Sequence, residues 1–228
     1  MKKKVVFTSK YHFNLNEETN IQPAKNFIPK HWKDLPYYEN NNYNLRGRFK
    51  TAKACPSFIE IFKEGYVIPT PCDIWLYTDN EEWKWETASP IDFIKITNHT
   101  NNQYVNSISN TNIKNIFKLD GIWNCITPKG YSVRQIPMIY HHNPDFYVMY
   151  GIIHTDKLHQ INPQIAFISD KKEIVIHKGT PLCYIVPFKR EKFKFEIVDY
   201  NENIEKQVYK SNLNYLAAFS RKNYNKED

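Results

Sequence analysis

Glycine is scarce in this sequence, since only 6 of its 228 residues are glycine and no two of them are adjacent. Backbone amides approach a phosphate closely where glycine leaves out the side chain. The composition therefore excludes a glycine-rich phosphate-binding loop. It leaves Gly130 and Gly179 as the candidate glycines for approaching a ligand.

Long apolar runs are also missing from the sequence. No segment approaches the ~18 consecutive apolar residues that a membrane span requires. The N-terminus Met1–Asn16 is basic, but neither an apolar segment nor a small-residue cleavage site follows its lysines. We therefore expect a soluble protein that is not secreted and has no membrane partner.

The four cysteines are far apart and form no CxxC pair and no His/Cys cluster with zinc-finger spacing. They are Cys55, Cys72, Cys125 and Cys183. We expect free thiols in a reducing cytoplasm. Cys55 and Cys72 flank one hydrophobic segment, and an oxidising compartment would allow them to pair.

The net charge of +7 raises the question of nucleic-acid binding, because clustered lysine and arginine displace counterions from phosphates. Most of the basic residues are spread along the chain. They concentrate only at Lys2–Lys4, at Arg221–Lys226 and at Lys189, Arg190 and Lys192. No recognition motif accompanies these runs, so we expect solvated faces and no nucleic-acid partner.

Short apolar segments separated by turn residues dominate the middle of the chain. Strands are predicted at Phe58–Phe62, Tyr66–Pro69 and Asp73–Tyr77, and Ile91–Ile96 continues the pattern. The polar segment Asn98–Asn115 predicts a long loop or two weak strands. Helical periodicity is nearly absent up to residue 200, which is typical of a β-barrel or β-sandwich.

Four tryptophans lie within this region, at Trp75, Trp83, Trp85 and Trp123. Trp83 and Trp85 alternate with charged residues after a probable turn, which predicts a hairpin. Exposed tryptophans would form a stacking platform for bases or sugars, or would contact a protein partner. Core packing is the stronger expectation, because a β fold poor in small residues fills its interior with large side chains.

The N-terminal region differs from the middle, because Pro23, Pro29 and Pro36 interrupt it. Proline fixes φ and removes a backbone donor, so long regular elements are not expected there. Between these prolines and just after them lie the aromatic residues His31, Trp32, Tyr37 and Tyr38. We predict an arm over residues 1–49 that packs through its aromatic side chains.

A helix is predicted at the C-terminal end. Ile204, Val208, Leu216 and Phe219 lie close to helical spacing after a candidate cap at Asn203, and we expect this helix to cover part of the β body. The predicted division is an arm at residues 1–49, a β domain at residues 50–200, and a helix with its tail at residues 201–228.

The segment from Gly151 to Phe188 resembles a known family. GIIHTD at Gly151–Asp156 is followed by apolar Ile165–Ile168, a turn at Ser169–Lys172, a strand at Glu173–His177 that completes a short hairpin, and GTPLCYIVPF from Gly179. This order is similar to the third and fourth motifs of the dUTPase and dCTP deaminase group. The resemblance implies a mainly β fold of the dUTPase-like β-clip type, a distorted β-barrel, and a homo-oligomer that is a trimer.

The resemblance also implies a site, although His154 stands where that group carries its catalytic aspartate. Asp156 lies two residues further, on the same side of an extended strand, and can supply a carboxylate. Asp73 in PCDI, from Pro71, resembles the aspartate of the first motif. His154, Asp156 and Asp73 are thus the candidate catalytic residues, with Mg²⁺ as the cofactor of a nucleotide hydrolase.

Four further residues are candidates for ligand binding, namely Arg134, Gly130, Gly179 and Arg190. Gly130 and Arg134 belong to TPKGYSVRQI, which resembles the strand pair that precedes the core in the dUTPase group. The serine-rich second motif and the glycine-rich C-terminal tail of that group are missing. Their absence argues against an intact hydrolase reaction.

A non-haem iron oxygenase is a further alternative. His154 and Asp156 form an HxD pair that, with His177 and Arg190, resembles the facial triad and the oxoacid-binding arginine of that class. The sequence gap before His177 is shorter than a barrel needs to return to the same end. Hydrogen-bonded strand histidines explain the same residues, so no metal site is predicted.

The whole chain also resembles a protein family of tailed phages and bacteria, through PKHW at Pro29, ACPSFIEIF at Ala54 and PTPCD at Pro69. This family brings no activity to carry over. Because a fold persists more easily than a catalytic set, the sequence favours a non-catalytic binding or assembly module, acting in a virion or in the host cytoplasm and with a possible protein partner. The alternatives are a divergent nucleotide phosphohydrolase or deaminase and the iron oxygenase.

Overall fold

The computed structural model describes residues 3–10, 16–39, 50–78, 82–88, 94–99, 103–104, 111–120 and 122–224. The chain divides into two compact units. Unit 1 contains Met1–Phe27 and Glu64–Arg190, and unit 2 contains Ile28–Lys63 and Glu191–Asp228. The boundaries predicted at residues 49 and 200 differ from this division and remain a prediction.

The fold is mainly β, as predicted. In the described residues the strands are β1 Val6–Thr8, β2 Gln22–Pro23, β3 Tyr66–Pro69, β4 Ile74–Thr78, β5 Trp83–Thr87, β6 Lys95–Asn98, β7 Asn115–Asp120, β8 Trp123–Ile126, β9 Tyr131–Pro137, β10 Phe146–Val148, β11 Gly151–Ile153, β12 Gln160–Ile161, β13 Gln164–Phe167, β14 Glu173–Ile176 and β15 Pro181–Lys189. The helices are α1 Lys30–Lys33, α2 Pro56–Glu60 and α3 Glu202–Tyr224.

The strands form four antiparallel sheets in unit 1. Their orders are β1-β8-β12, β10-β13-β7-β6, β11-β9-β15-β3-β2 and β14-β4-β5. Strand β15 lies at the centre of the five-stranded sheet, between β9 and β3. Both faces of β15 are buried, because Cys183 and Ile185 belong to the main core and Tyr184 and Val186 belong to a smaller cluster. Burial on both faces explains its continuous apolar sequence.

Two predicted hairpins have different outcomes. Strands β4 and β5 pair as predicted, with Leu76 opposite Trp85. The hairpin predicted around Ser169–Lys172 is wrong, because β13 pairs with β7 and β10 whereas β14 pairs with β4. The intervening turn therefore carries the chain from one sheet to another.

Only some of the tryptophans pack in the core, as was expected for most of them. Trp123 is 5% exposed and belongs to the core. The Trp83 ring meets the Phe167 ring edge-on, with centroids 4.2 Å apart, whereas Trp85 is 38% exposed. Trp75 is half-buried. The described tryptophans therefore do not share one exposed face.

The strand predicted at Phe58–Phe62 is wrong, because helix α2 occupies Pro56–Glu60. Pro56 stands in the first turn of this helix, where its missing N–H has no intrahelical partner to lose. Within unit 2, the Trp32 ring packs on Phe58 and Phe62, at centroid distances of 6.0 and 5.3 Å. The aromatic packing predicted for the N-terminal arm thus occurs, although β1 and β2 show that residues 1–49 also contribute strands.

The C-terminal helix forms, but its cap and its burial differ from the prediction. The side chain of Asn201, rather than Asn203, accepts hydrogen bonds from the N–H groups of Asn203 and Ile204, at 3.0 and 3.2 Å. Ile204, Val208 and Leu216 are 46%, 45% and 49% exposed, and Phe219 is buried. Three of the four apolar residues are thus exposed, and the covering of the β body by this helix stays a prediction.

No helix in the described part of the chain is both long enough and apolar enough to cross a membrane. The segment predicted as a loop or two weak strands, Asn98–Asn115, lies partly outside the described residues, as do Ile91 and Phe93. Its described end enters β7 at Asn115, whose side chain donates to that of Asn98 at 2.8 Å.

Candidate functional site

Four predicted site residues, Gly130, His154, Asp156 and Arg190, meet at one end of the five-stranded sheet. After β11 the chain turns at His154, whose carbonyl accepts from the N–H groups of Lys157 and Leu158 at 2.8 Å. Strand β15 pairs with β9 up to Lys189 opposite Tyr131, and the Arg190 N–H then donates to the Gly130 carbonyl at 2.9 Å. The register of β9, β11 and β15 thus brings Asp156, Gly130 and Arg190 together.

Asp156 and Arg190 form a two-point ion pair. Nη1 of Arg190 donates to Oδ1 of Asp156 at 2.8 Å, and Nη2 donates to Oδ2 at 2.5 Å. The Gly130 N–H donates to the same Oδ2 at 2.9 Å. The side chain of Asp156 is only 3% exposed and that of Arg190 is 27% exposed. Both carboxylate oxygens are therefore occupied by protein donors.

These contacts fix the charge of the pair. The hydrogen bonds from Arg190, followed by the one from the Gly130 N–H, hold the pKa of Asp156 well below its ordinary range. The hydrogen bonds to Asp156 in turn raise the pKa of Arg190. A carboxylate that is ionised and bonded in this way is a poor general base, because its lone pairs are already engaged.

Two residues complete this group, which we call the Asp156 cluster (Gly130, Ser132, His154, Asp156 and Arg190). Arg190 Nη1 also donates to Oγ of Ser132 at 2.6 Å. The hydroxyl of Ser132 lies 3.3 Å from Nδ1 of His154. Ser132 is fully buried, whereas His154 is exposed. His154 is therefore the member of the cluster that solvent reaches most readily.

Asp73 belongs to a second group, the Asp73 cluster, which contains Asp73, His177, Lys178 and Gly179. Oδ1 of Asp73 accepts from the Lys178 N–H at 2.6 Å and lies 3.7 Å from Nδ1 of His177. Gly179 has φ +79°, and a Cβ there would lie 2.7 Å from Cγ of Glu18. Asp73 and Gly179 therefore have clear structural roles in the turn before β15.

Arg134 stands apart from the hydrogen bonds of both clusters. On β9 it lies opposite Ile152 and Val186. Its guanidinium carbon is 4.5 Å from the centroid of the Phe188 ring, a cation–π contact on the sheet surface. In the described residues no hydrogen bond or ion pair joins Arg134 or the Asp73 cluster to the Asp156 cluster.

The arrangement matches neither a facial triad nor a protein Mg²⁺ site. His154 and Asp156 lie in one cluster and His177 lies in the other. Among the described residues no group of three His, Cys, Asp or Glu side chains can hold a metal ion. The residues proposed for an oxygenase triad therefore do not form one such group.

Sequence reasoning missed Ser132, which links Arg190 to His154. Ser132 is 58 residues from Arg190 and 22 residues from His154, so only the strand register brings the three side chains together. A buried serine beside a predicted glycine turn was the available signal. The buried hydroxyl pair of Thr127 and Thr155, 2.8 Å apart, was missed for the same reason.

Solved structures similar to this chain include dUTPases. The dUTPase of EIAV aligns with 11% identity over 61% of this chain and 86% of its own, at a TM-score of 0.35. Two structures of the dUTPase from phage phi11 of S. aureus align with 10% identity over 87% of this chain and 98–99% of their own, at a TM-score of 0.37. Likeness at this level bears on neither activity nor ligand.

No family model matches the chain, and no curated protein matches it.

Proposed function

We propose that this chain is a non-catalytic assembly module, of phage origin, whose C-terminal segment packs against a second copy of the same chain. One observation carries the proposal, namely the exposure of the apolar side chains over residues 193–216. These side chains belong to two consecutive segments. Residues 191–200, from here on called the arm, belong to no helix or strand, and α3 follows them.

The arm has the sequence of a β-strand but lies outside every strand of its own chain. Phe193, Phe195 and Ile197 alternate with charged residues and are 87%, 85% and 83% exposed. This period of two places the three apolar side chains on one face of an extended segment. An apolar face of this kind is typical of a strand that pairs with another chain.

Helix α3 also exposes apolar side chains. Ile204, Val208, Tyr215 and Phe219 fall on one face at helical spacing, and Tyr209, Leu213 and Leu216 fall on the adjoining face. Of these seven, only Phe219 is buried. Most helical stability comes from packing of an apolar face rather than from intrinsic propensity, so α3 requires a partner surface.

A second copy offers surfaces suited to such an arm. Among the described strands, β5 and β11 each have one neighbour and therefore end their sheets. They carry Trp85 and Ile152, which are 38% and 52% exposed. An added strand would satisfy the open backbone edge and cover these side chains. Because every copy has both an arm and these edges, exchange between copies closes a symmetric oligomer; three is the number implied by the sequence resemblance.

The proposal is tested by measuring the mass of the full chain in solution with size-exclusion chromatography and light scattering. We expect an oligomer for the wild-type chain. The triple variant Phe193→Ser, Phe195→Ser, Ile197→Ser should run as a monomer. The control variant Ile126→Ser removes an apolar side chain that is 40% exposed on β8, which belongs to neither the arm, α3 nor the proposed edges β5 and β11, and it should remain oligomeric.

A wild-type chain that stays monomeric at high concentration would overturn the proposal, as would a triple variant with unchanged mass. The nucleotide hydrolase alternative has its own measurement. Incubation with nucleoside triphosphates and Mg²⁺ should release no pyrophosphate if the chain is non-catalytic. Release that is lost in His154→Ala would support the hydrolase instead.

A further inference from the structure

A cavity of about 460 Å³ lies in unit 1, lined by residues of the loop between β9 and β10 and of the turn into β15. Its lining shares no residue with the Asp156 cluster or the Asp73 cluster. Its volume falls within the range of small-molecule sites, roughly 300–1,000 Å³. We call it the Tyr147 pocket and define it by Met138, Tyr140, Asn143, Phe146, Tyr147 and Thr180.

The lining of the Tyr147 pocket carries no strong charge. The described residues that line it include no aspartate, glutamate, lysine or arginine. The nearest acidic residue in the sequence, Asp145, does not line the pocket and pairs with Lys171 at 3.0 Å. A charged ligand would lose its hydration here without gaining an opposite charge. The pocket therefore favours a neutral ligand.

Three accessible polar groups in the lining have no hydrogen-bond partner among the described residues. They are the amide nitrogen of Asn143, the hydroxyl of Tyr147 and the hydroxyl of Thr180. Asn143 is exposed, Tyr147 is 37% exposed and Thr180 is half-buried, so solvent reaches all three residues. An amide nitrogen donates, whereas a hydroxyl both donates and accepts. The pocket thus offers hydrogen bonds to a ligand that carries several hydroxyl groups.

The loop presents these groups in a fixed arrangement. Oδ1 of Asn143 accepts from the N–H groups of Asp145 and Phe146, at 2.9 and 3.2 Å. These two bonds fix the orientation of the amide and leave its nitrogen for a ligand. Nε2 of His141 donates to the Phe27 carbonyl at 2.9 Å and holds the preceding part of the loop. A fixed arrangement reduces the entropy lost on binding.

Backbone strain is concentrated at the same pocket. Tyr140 and His142 have φ of 68° and 49° and are the only described residues other than glycine with a positive φ. Both line the Tyr147 pocket. Strained conformations of this kind persist only where the surrounding structure imposes them, and they cluster at ligand sites.

An exposed aromatic ring supplies an apolar face. On β10 the side chains of Phe146 and Val148 are buried, whereas Tyr147 lies on the opposite side of the strand. The Tyr147 ring therefore lines the pocket and remains accessible to a ligand. An aromatic ring packs well against a flat apolar surface.

We infer that the Tyr147 pocket binds one ring of a neutral saccharide. A sugar ring combines a face of C–H groups, which packs on the Tyr147 ring, with hydroxyl groups around its edge. Those hydroxyls accept from the amide nitrogen of Asn143 and exchange hydrogen bonds with the hydroxyl of Thr180. The site is independent of the assembly proposed above, because it uses neither the arm, α3 nor the edges of β5 and β11.

The ligand side of the inference is tested on the wild-type full chain. The methyl glycosides of glucose, galactose, mannose and N-acetylglucosamine are titrated at millimolar concentration by calorimetry and by saturation-transfer NMR. We expect at least one glycoside to bind. Sorbitol has the hydroxyls but no ring face, so we expect it to bind about tenfold more weakly. Absence of binding by all four glycosides, or equal binding of sorbitol, would overturn the inference.

A linear oligosaccharide of the bound sugar then distinguishes two sources of the same chemistry. Tighter binding of the oligosaccharide indicates that the pocket reads a glycan chain, whereas equal binding per molecule indicates a free sugar. Both results support the inference.

The protein side uses Tyr147→Ala, with Tyr150→Ala as the matched control, because Tyr150 is 60% exposed and does not line the pocket. We expect Tyr147→Ala to weaken glycoside binding about tenfold. Tyr147→Phe keeps the ring and the fold and should weaken it about threefold, through loss of one hydrogen bond. Tyr150→Ala should leave binding unchanged. Equal affinity of Tyr147→Ala and Tyr150→Ala, or wild-type affinity of both Tyr147 variants, would sink the proposal.

Discussion

Arg190 donates hydrogen bonds to both carboxylate oxygens of Asp156, with Nη1 at 2.8 Å from Oδ1 and Nη2 at 2.5 Å from Oδ2. This ion pair links the turn after β11 to the end of β15. Oγ of Ser132 and the Tyr131 carbonyl lie 2.6 and 2.8 Å from Nη1 and share its second N–H group. The pair therefore fixes one end of the five-stranded sheet. Asp156, a candidate catalytic residue, thus also links the turn after β11 to the ends of β9 and β15.

Loss of this pair should lower the stability of the fold. Asp156→Ala leaves the partly buried guanidinium without its partner, so we expect a clear drop in the melting temperature. Arg190→Lys should be intermediate, because lysine keeps the charge but not the two-point geometry. Asp170→Ala is the control, since Asp170 is 91% exposed in its pair with Lys114 and exposed pairs contribute little. Equal effects of all three variants in thermal unfolding would contradict this account.

The same pair predicts a dependence of stability on pH. Asp156 has a folded-state pKa below its unfolded value, so its contribution is fully present above the unfolded pKa, about 4, and is lost as the pH falls through the folded value. The difference in melting temperature between the wild-type chain and Asp156→Asn should therefore be constant from pH 7 to pH 5 and shrink below about pH 4. A difference that grows on acidification would refute the assignment.

Trp83 and Trp85 provide a matched test of core against surface. The Trp83 ring packs on Phe167, which is fully buried, whereas Trp85 is 38% exposed. We expect Trp83→Ala to lower the free energy of unfolding by about 2–3 kcal/mol, somewhat less than a fully buried aromatic would cost. Trp85→Ala should lower the free energy of unfolding of the monomeric chain by under ~1 kcal/mol. Urea unfolding at neutral pH measures both, and the reverse order would contradict the packing described.

Thiol reactivity should separate Cys55 from the other cysteines. All four are free; Cys55 is half-buried, and Cys72, Cys125 and Cys183 are buried. Burial raises the pKa of Cys72 and of Cys125 to about 11, and it also raises the pKa of Cys183. Because the thiolate is the reactive form, a thiol reagent should label Cys55 first in the native chain and all four in denaturant. Early labelling of Cys125 would count against the model of the core.

The loop between β9 and β10 stores backbone strain. Tyr140 and His142 have φ of 68° and 49°, values that side chains other than glycine rarely adopt. His142→Gly should raise the free energy of unfolding by up to about 1 kcal/mol relative to His142→Ala, because alanine keeps the strain while removing the same ring. Equal stability of the two variants in urea unfolding would argue against the left-handed conformation.

The local sequence pattern was sufficient to predict a strand or a hairpin where the strand signal and the turn signal agreed. The apolar segment and glycine at Gly179 predicted β15, and the alternation at Trp83 and Trp85 predicted the β4–β5 hairpin. Sequence failed where an apolar run was short, as at Phe58, because such a run is compatible with helix or strand. There Pro56 decided the outcome by starting a helix.

Long-range pairing explains the other failures. The turn at Ser169–Lys172 looks like a hairpin, but β14 pairs with β4, about a hundred residues earlier in the chain. The same limit applies to the candidate site residues. Asp73 and Asp156 have hydrogen-bond partners in two different clusters, and nothing in their sequence spacing reveals this. Only His154, Asp156, Gly130 and Arg190 come together, through the register of β9 and β15.

The central position of β15 also matters while the chain is being synthesised. Strands β3 and β9 leave the ribosome well before Pro181–Lys189, yet β15 must lie between them to complete the sheet. Until then their inner edges stay unpaired, and such edges favour aggregation. We therefore expect slow codons just before Pro181 to reduce the yield of folded chain, because they prolong the time for which these edges stay unpaired.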